Sequence, residues 1–170
     1  MITSEWAHYL SDEAEVGQQP EEVATAVVER MAERYAQALP LIPGATEAVG
    51  RLGDRWPLGL ASSSPRSLMD SVLATTRLTH RFTVTVSTEE MEHGKPSPDV
   101  YRAAVRGPDL SPERCVAVED STNGLRAAVG AGLVAVAFHL PSADALDAAR
   151  VVAIHLDELT ASDLEGLGEG

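Results

Sequence analysis

The chain has a single cysteine, Cys115, and so can form no internal disulfide. Aromatic residues make up only 4% of its 170 residues, while hydrophobic residues reach 44%. Its core therefore has to be aliphatic, built from Ala, Val and Leu. No apolar run approaches the roughly 18 residues that span a bilayer. No basic segment followed by an apolar one opens the chain, so nothing reads as a secretory signal. A lone thiol without an export signal leads us to expect a cytoplasmic protein. Basic residues are scarce: 13 stand against 26 acidic ones, a net charge of −13. That balance argues against nucleic acid or an anionic membrane as a partner.

The charge is unevenly spread. Residues 1–34 hold 8 acids and 2 bases, and residues 140–170 hold 7 acids and 1 base. The stretch between them, with 11 acids and 10 bases, is almost neutral and is the place to look for an anion site. It also holds the chain's one lysine, Lys95, against twelve arginines.

No solenoid repeat or low-complexity tract is present. The first 40 residues read as helical. Pro20 suits the first helical position and Glu21 and Glu22 the positive end of the dipole. Val23, Val27, Val28, Met31 and Tyr35 recur at helical spacing. Pro40 and Pro43-Gly44 stop that helix, so the expected division is 1–40 and 41–170. Beyond Pro57, short apolar runs alternate with helix starts. Leu58–Ala61, Phe82–Val86, Cys115–Val118, Val134–Phe138 and Val151–Leu156 read as strands. Ser64-Pro65 reads as N-cap and first residue of a helix carrying Leu68, Met69, Val72 and Leu73. Ser97-Pro98-Asp99 starts a helix with Tyr101, Ala104 and Val105 on one face. A third helix puts Leu125, Ala128 and Val129 inside and stops at Gly132. Alternation of this kind predicts an α/β fold, a parallel sheet with helices on both faces. Ligands of such sheets sit beyond the carboxyl ends of the strands.

Three polar clusters lie at or near such ends. Ser62-Ser63-Ser64-Pro65 puts hydroxyls at a strand tip just before a helix N-terminus, a setting that favours an anion. Gly94-Lys95-Pro96-Ser97-Pro98-Asp99 projects an ammonium from a bend, a point charge suited to phosphate. Glu119-Asp120 closes an apolar strand with two carboxylates, costly unless donors or a cation satisfy them. Mg²⁺ is a natural cation there, since it takes one or two carboxylates and completes its shell with water and phosphate oxygens. Read singly, each cluster has a plainer explanation: a serine-rich cap, a surface lysine, and an aspartate capping the next helix.

Their order and spacing resemble the haloacid dehalogenase-like superfamily, in particular its β-phosphoglucomutase and phosphoglycolate phosphatase-like branch. Pro43-Gly44-Ala45 is similar to the return from that family's cap. Leu60-Ala61-Ser62-Ser63-Ser64 resembles its second motif, Gly94-Lys95-Pro96-Ser97-Pro98-Asp99 its third, and Val118-Glu119-Asp120-Ser121-Thr122-Asn123-Gly124 its fourth. The resemblance implies a Rossmann-like core over 41–170 with a partial helical cap over 1–40. It implies Mg²⁺-dependent hydrolysis or transfer of a phosphoryl group on a small phosphorylated metabolite. Ser62 and Ser63 would then bind phosphate, Lys95 would neutralise it and serve catalysis, and Asp120, supported by Glu119, would bind Mg²⁺. Carbon–halogen hydrolysis, the runner-up within the family, does not need the carboxylate pair.

The same resemblance implies a first, central strand ending in D-x-D-G, whose first carboxylate attacks phosphorus. The sequence contains no D-x-D. Asp12 lies in a polar, helix-like stretch, and Asp54 precedes its strand. The favoured expectation is that the strand is encoded upstream. A decayed relative without catalysis, and a strand lent by another polypeptide, are the alternatives. As written, the chain is expected to be inactive alone. A non-catalytic phosphate-binding or interaction module is the competing reading. Of the remaining residues, the five histidines show no zinc spacing, and His93 is read as a solvated loop residue. Arg66 is read as a surface residue, and Cys115 as packing within a strand. Trp6 and Tyr9 are expected to be exposed and to favour self-association.

Overall fold

Pro20 does open the longest helix. The computed structural model describes residues 3–13, 18–107, 109–138 and 151–153, and α2 runs Pro20–Gln37 after α1, Thr3–Glu13. The Glu22 carboxylate reaches back to the Gln19 N–H at 3.4 Å, one half of a capping arrangement. A third helix, α3 (Ala45–Gly53), starts at Gly44, whose φ of 78° is a left-handed conformation natural to glycine.

From there strands and helices alternate as expected: β1 Leu58–Ser62, α4 Arg66–Thr76, β2 Phe82–Ser87, α5 Asp99–Arg106, β3 Val116–Glu119, α6 Thr122–Gly130, β4 Val134–Phe138 and β5 Val151–Ala153. All pairings are parallel, in register from Ser62 against Ser87 to Glu119 against Ala137. The fold is α/β of Rossmann-like type. Its sheet, however, comes in two pieces, β1-β2 and β3-β4-β5, and among the described residues no ladder joins β1 to β3. The aliphatic core is centred on Val100, Leu125, Ala127, Ala128, Val136 and Ala137, all fully buried. Among the described residues no helix is long and apolar enough to cross a membrane.

Several local expectations shift. Val129 is 47% exposed rather than inside. The buried face of α6 is Gly124, Leu125, Ala127 and Ala128, and Val129 lies a further 100° round the helix. Gly132 ends that helix with φ 88°, as expected. Cys115 precedes β3 instead of lying in it. Its thiol is half-buried, and burial pushes its pKa upward. Ser64 does not cap α4: Pro65 holds the cap position and no side chain bonds there. The expected strand residues 154–156 and the tail 157–170 lie outside the described residues.

Candidate active site

β1 and β3 both end at one cavity of about 600 Å³, and Ser62, Ser63, Lys95, Glu119 and Asp120 all line it. Ser62 closes β1 and Glu119 closes β3, so both strands deliver their carboxyl ends to this opening. Clusters 24 and more positions apart in sequence are thereby gathered at one opening.

Lys95 sits in the loop after β2, beside its cis peptide bond to Pro96, and is 8% exposed. Its ammonium donates to the Ala61 carbonyl of β1 at 3.1 Å and to Glu119 Oε1 of β3. The one lysine of the chain thus bridges the two pieces of the sheet. Glu119 is equally buried, and three donors hold its carboxylate. Lys95 and the Tyr101 hydroxyl share Oε1, and the Ser121 hydroxyl reaches Oε2 at 3.4 Å. Lys95 Nζ also lies 4.9 Å from the centre of the Tyr101 ring, a cation–π contact.

Gly124 makes room for this arrangement. A Cβ on it would lie 1.9 Å from Glu119 Oε2, so the carboxylate occupies the space a side chain would fill. The cap of α6 is Ser121, whose hydroxyl accepts the Gly124 N–H at 3.0 Å. Asp120 is therefore not the helix cap. It is exposed, lines the cavity and makes no hydrogen bond or ion pair among the described residues.

At the other wall, Ser62 Oγ accepts the Ser64 N–H at 3.1 Å, and Ser63 is exposed. The N-terminus of α4 is already occupied: the Arg66 N–H donates to Glu89 Oε2 at 2.8 Å. The anion site expected at this helix start is thus reduced to the serine tip before it. Arg66 is not a bystander on the surface. Its guanidinium donates to Glu90 and, at 2.9 Å each, to the hydroxyl and carbonyl of Thr85, clamping α4 to β2. His93 lies 3.6 Å from Asp99 and is largely exposed, a solvated loop residue as expected. Trp6 is half-buried and lines the cavity, whereas Tyr9 is 61% exposed.

The Tyr101 hydroxyl is held far above the ordinary tyrosine range, first by burial and then by the Glu119 charge. The unfolded phenol ionises near its usual value of about 10, while the folded one stays protonated. Its contribution to stability is therefore full below about pH 10 and declines as pH rises further. Spectrophotometric titration of native protein should accordingly show one phenolate fewer at pH 11 than the urea-unfolded chain. Equal phenolate counts would place Tyr101 in contact with solvent.

Among the described residues no three His, Cys, Asp or Glu side chains gather to hold a metal unaided. One free carboxylate facing open space fits Mg²⁺, which keeps several waters and takes further oxygens from phosphate. The formal charges agree: two carboxylates and one ammonium leave the cavity negative, so a bound dianion requires an additional cation.

A family model described as haloacid dehalogenase-like hydrolase matches residues 3–132. The chain belongs to the haloacid dehalogenase-like hydrolases. Hexitol phosphatase B of Escherichia coli K12 is 34% identical over 154 residues, which is 88% of this chain and 69% of that protein. The crystal structure of CbbY from Rhodobacter sphaeroides in complex with xylulose-(1,5)bisphosphate superposes with a TM-score of 0.78 at 28% identity, over 86% of this chain and 69% of that one. β-Phosphoglucomutase from Clostridium difficile has the same fold, with a TM-score of 0.82 at 16% identity over 99% of this chain and 77% of that one. Within this haloacid dehalogenase-like chain, Tyr101 and Ser121 are the site residues that the motif reading missed. Ser121 lies within the fourth motif and Tyr101 two residues beyond the third, but nothing in the sequence gives their common target, Glu119.

Proposed function

We propose that the site binds the phosphoryl group of a small phosphorylated metabolite for Mg²⁺-dependent transfer or hydrolysis. The observation that carries this reading is the meeting of Ser62, Lys95 and Asp120 on one cavity in a chain of this family. In this reading Ser62 and Ser63 receive the phosphate oxygens, and Lys95 offsets their charge. Glu119 acts from behind, fixing the ammonium with the help of Tyr101 and Ser121. Asp120 is the direct Mg²⁺ ligand, with Glu119 in support. When bound, Mg²⁺ supplies charge neutralisation at the phosphate oxygens. Positioning and electrostatics of this kind make up most of phosphoryl-transfer catalysis. Helices α1 and α2 serve as the part of the cap that covers the opening.

The nucleophile is a separate matter. Among the described residues, Glu119 and Asp120 are the carboxylates on the cavity wall, and in this reading neither takes the attacking role implied by a D-x-D strand. The chain as written is therefore a binding unit that does not turn over by itself. Calorimetry with inorganic phosphate should show affinity at least tenfold higher with MgCl₂ than without, and Asp120→Asn should abolish that difference. The same preparations should show no Mg²⁺-dependent hydrolysis of p-nitrophenyl phosphate. Turnover in the parent that Asp120→Asn removes would refute the missing-nucleophile reading. Phosphate binding indifferent to both Mg²⁺ and Asp120 would refute the metal assignment.

A further inference from the structure

The cavity wall is sorted by element. The strand tips and loops of the core supply its polar groups beside Ala61, Pro65 and Val118, whereas α1 and α2 contribute only Trp6, Leu10, Val27, Val28 and Met31. Trp6 with Leu10, and Val27 with Met31, are i,i+4 pairs, so each helix presents one apolar stripe. These side chains are not sealed into the core. Trp6, Val27, Val28 and Met31 are half-buried, and Leu10 is 36% exposed. The space they border, about 600 Å³, is far more than a phosphate group fills and falls within the roughly 300–1,000 Å³ of small-molecule sites.

Resting on the phosphate reading above, we infer that the substrate is a phosphate monoester whose organic part is apolar, alkyl or aryl, rather than polyhydroxylated. With the phosphate held at Ser62, Ser63 and Lys95, and at Asp120 through Mg²⁺, the rest of the molecule faces α1 and α2. Among the described residues of α1 and α2 that line the cavity, a sugar hydroxyl would gain no side-chain partner for the water it gives up, apart from the single indole N–H of Trp6. A ring or methylene chain is desolvated favourably on the same surface. This sets the chain apart from the hexitol phosphatase it resembles, whose name denotes a polyol phosphate.

The test is calorimetry on the chain in MgCl₂ with three probes: inorganic phosphate, phenyl phosphate and glucitol 6-phosphate. Phenyl phosphate is expected to bind at least about tenfold more tightly than inorganic phosphate, and glucitol 6-phosphate no more tightly than inorganic phosphate. Trp6→Ala and, as a milder change, Met31→Gln should each lower the ratio of phenyl phosphate to inorganic phosphate affinity by about fivefold or more. Glucitol 6-phosphate binding as tightly as phenyl phosphate would overturn the inference while leaving the phosphate reading intact. Failure of all three probes to bind would overturn both.

Discussion

Lys95→Met is expected to destabilise the protein by about 3 kcal/mol, because it strands a buried carboxylate. Glu119 is 8% exposed, and the ammonium is one of the donors that make its burial tolerable. Methionine retains much of the lysine stem and so isolates the charge from the packing. The loss therefore reports the orphaned anion more than a cavity. Adding Glu119→Gln removes that anion while keeping an oxygen for the Tyr101 hydroxyl, and should restore most of the deficit. Urea denaturation with unchanged m-values provides both numbers. A loss below about 1 kcal/mol for Lys95→Met would mean that Glu119 is solvated in the folded protein. Phosphate affinity should fall by more than tenfold in the single variant, and the double variant should not regain it. Stability and binding thus separate in one pair of proteins.

Gly124→Ala should be nearly as damaging, although it adds one methyl group. The new Cβ would meet Glu119 Oε2 at 1.9 Å and Cδ at 2.1 Å, well inside contact distance. The carboxylate must leave its place over α6, which breaks its bonds to Lys95 and Tyr101 together. A cost of about 2–4 kcal/mol follows from combined overpacking and loss of the pair. Gly50→Ala is the matched control. It lies inside α3 with nothing within 4 Å of the added carbon, and should stabilise by about 0.5–1 kcal/mol. The two substitutions thus differ in sign despite identical chemistry. Equal midpoints for Gly124→Ala and the parent would show that Glu119 does not rest where the structure places it.

Much of the architecture was readable because it rests on local patterns. Val134–Phe138 was bounded correctly as a strand, and Pro20 and Gly132 marked their helix ends. What escaped the reading depends on partners distant in sequence. The start of α4 is satisfied by Glu89, 23 positions away, so no local motif could reveal that its N-terminus was taken. In sequence Arg66 has the look of a surface residue, because its clamp on Thr85 and Glu90 exists only once β2 lies beside α4. The motifs could nominate Ser62, Lys95, Glu119 and Asp120. They could not show that Glu119 turns toward Lys95 while Asp120 is left open, a division set by the Ser121 cap and the bare face of Gly124. Among the described residues, β1 and β3 stay unjoined where the resemblance implies the central D-x-D strand that the sequence lacks.

The bridge from Ala61 to Glu119 through a single ammonium has an evolutionary corollary. One side chain acts as rivet for two slabs of sheet and, in the function proposed above, also as counter-ion for the ligand. Mutational scans that score folding and scans that score phosphate binding will therefore converge on the same codon. Loss of phosphate binding in a descendant would not free that position to drift.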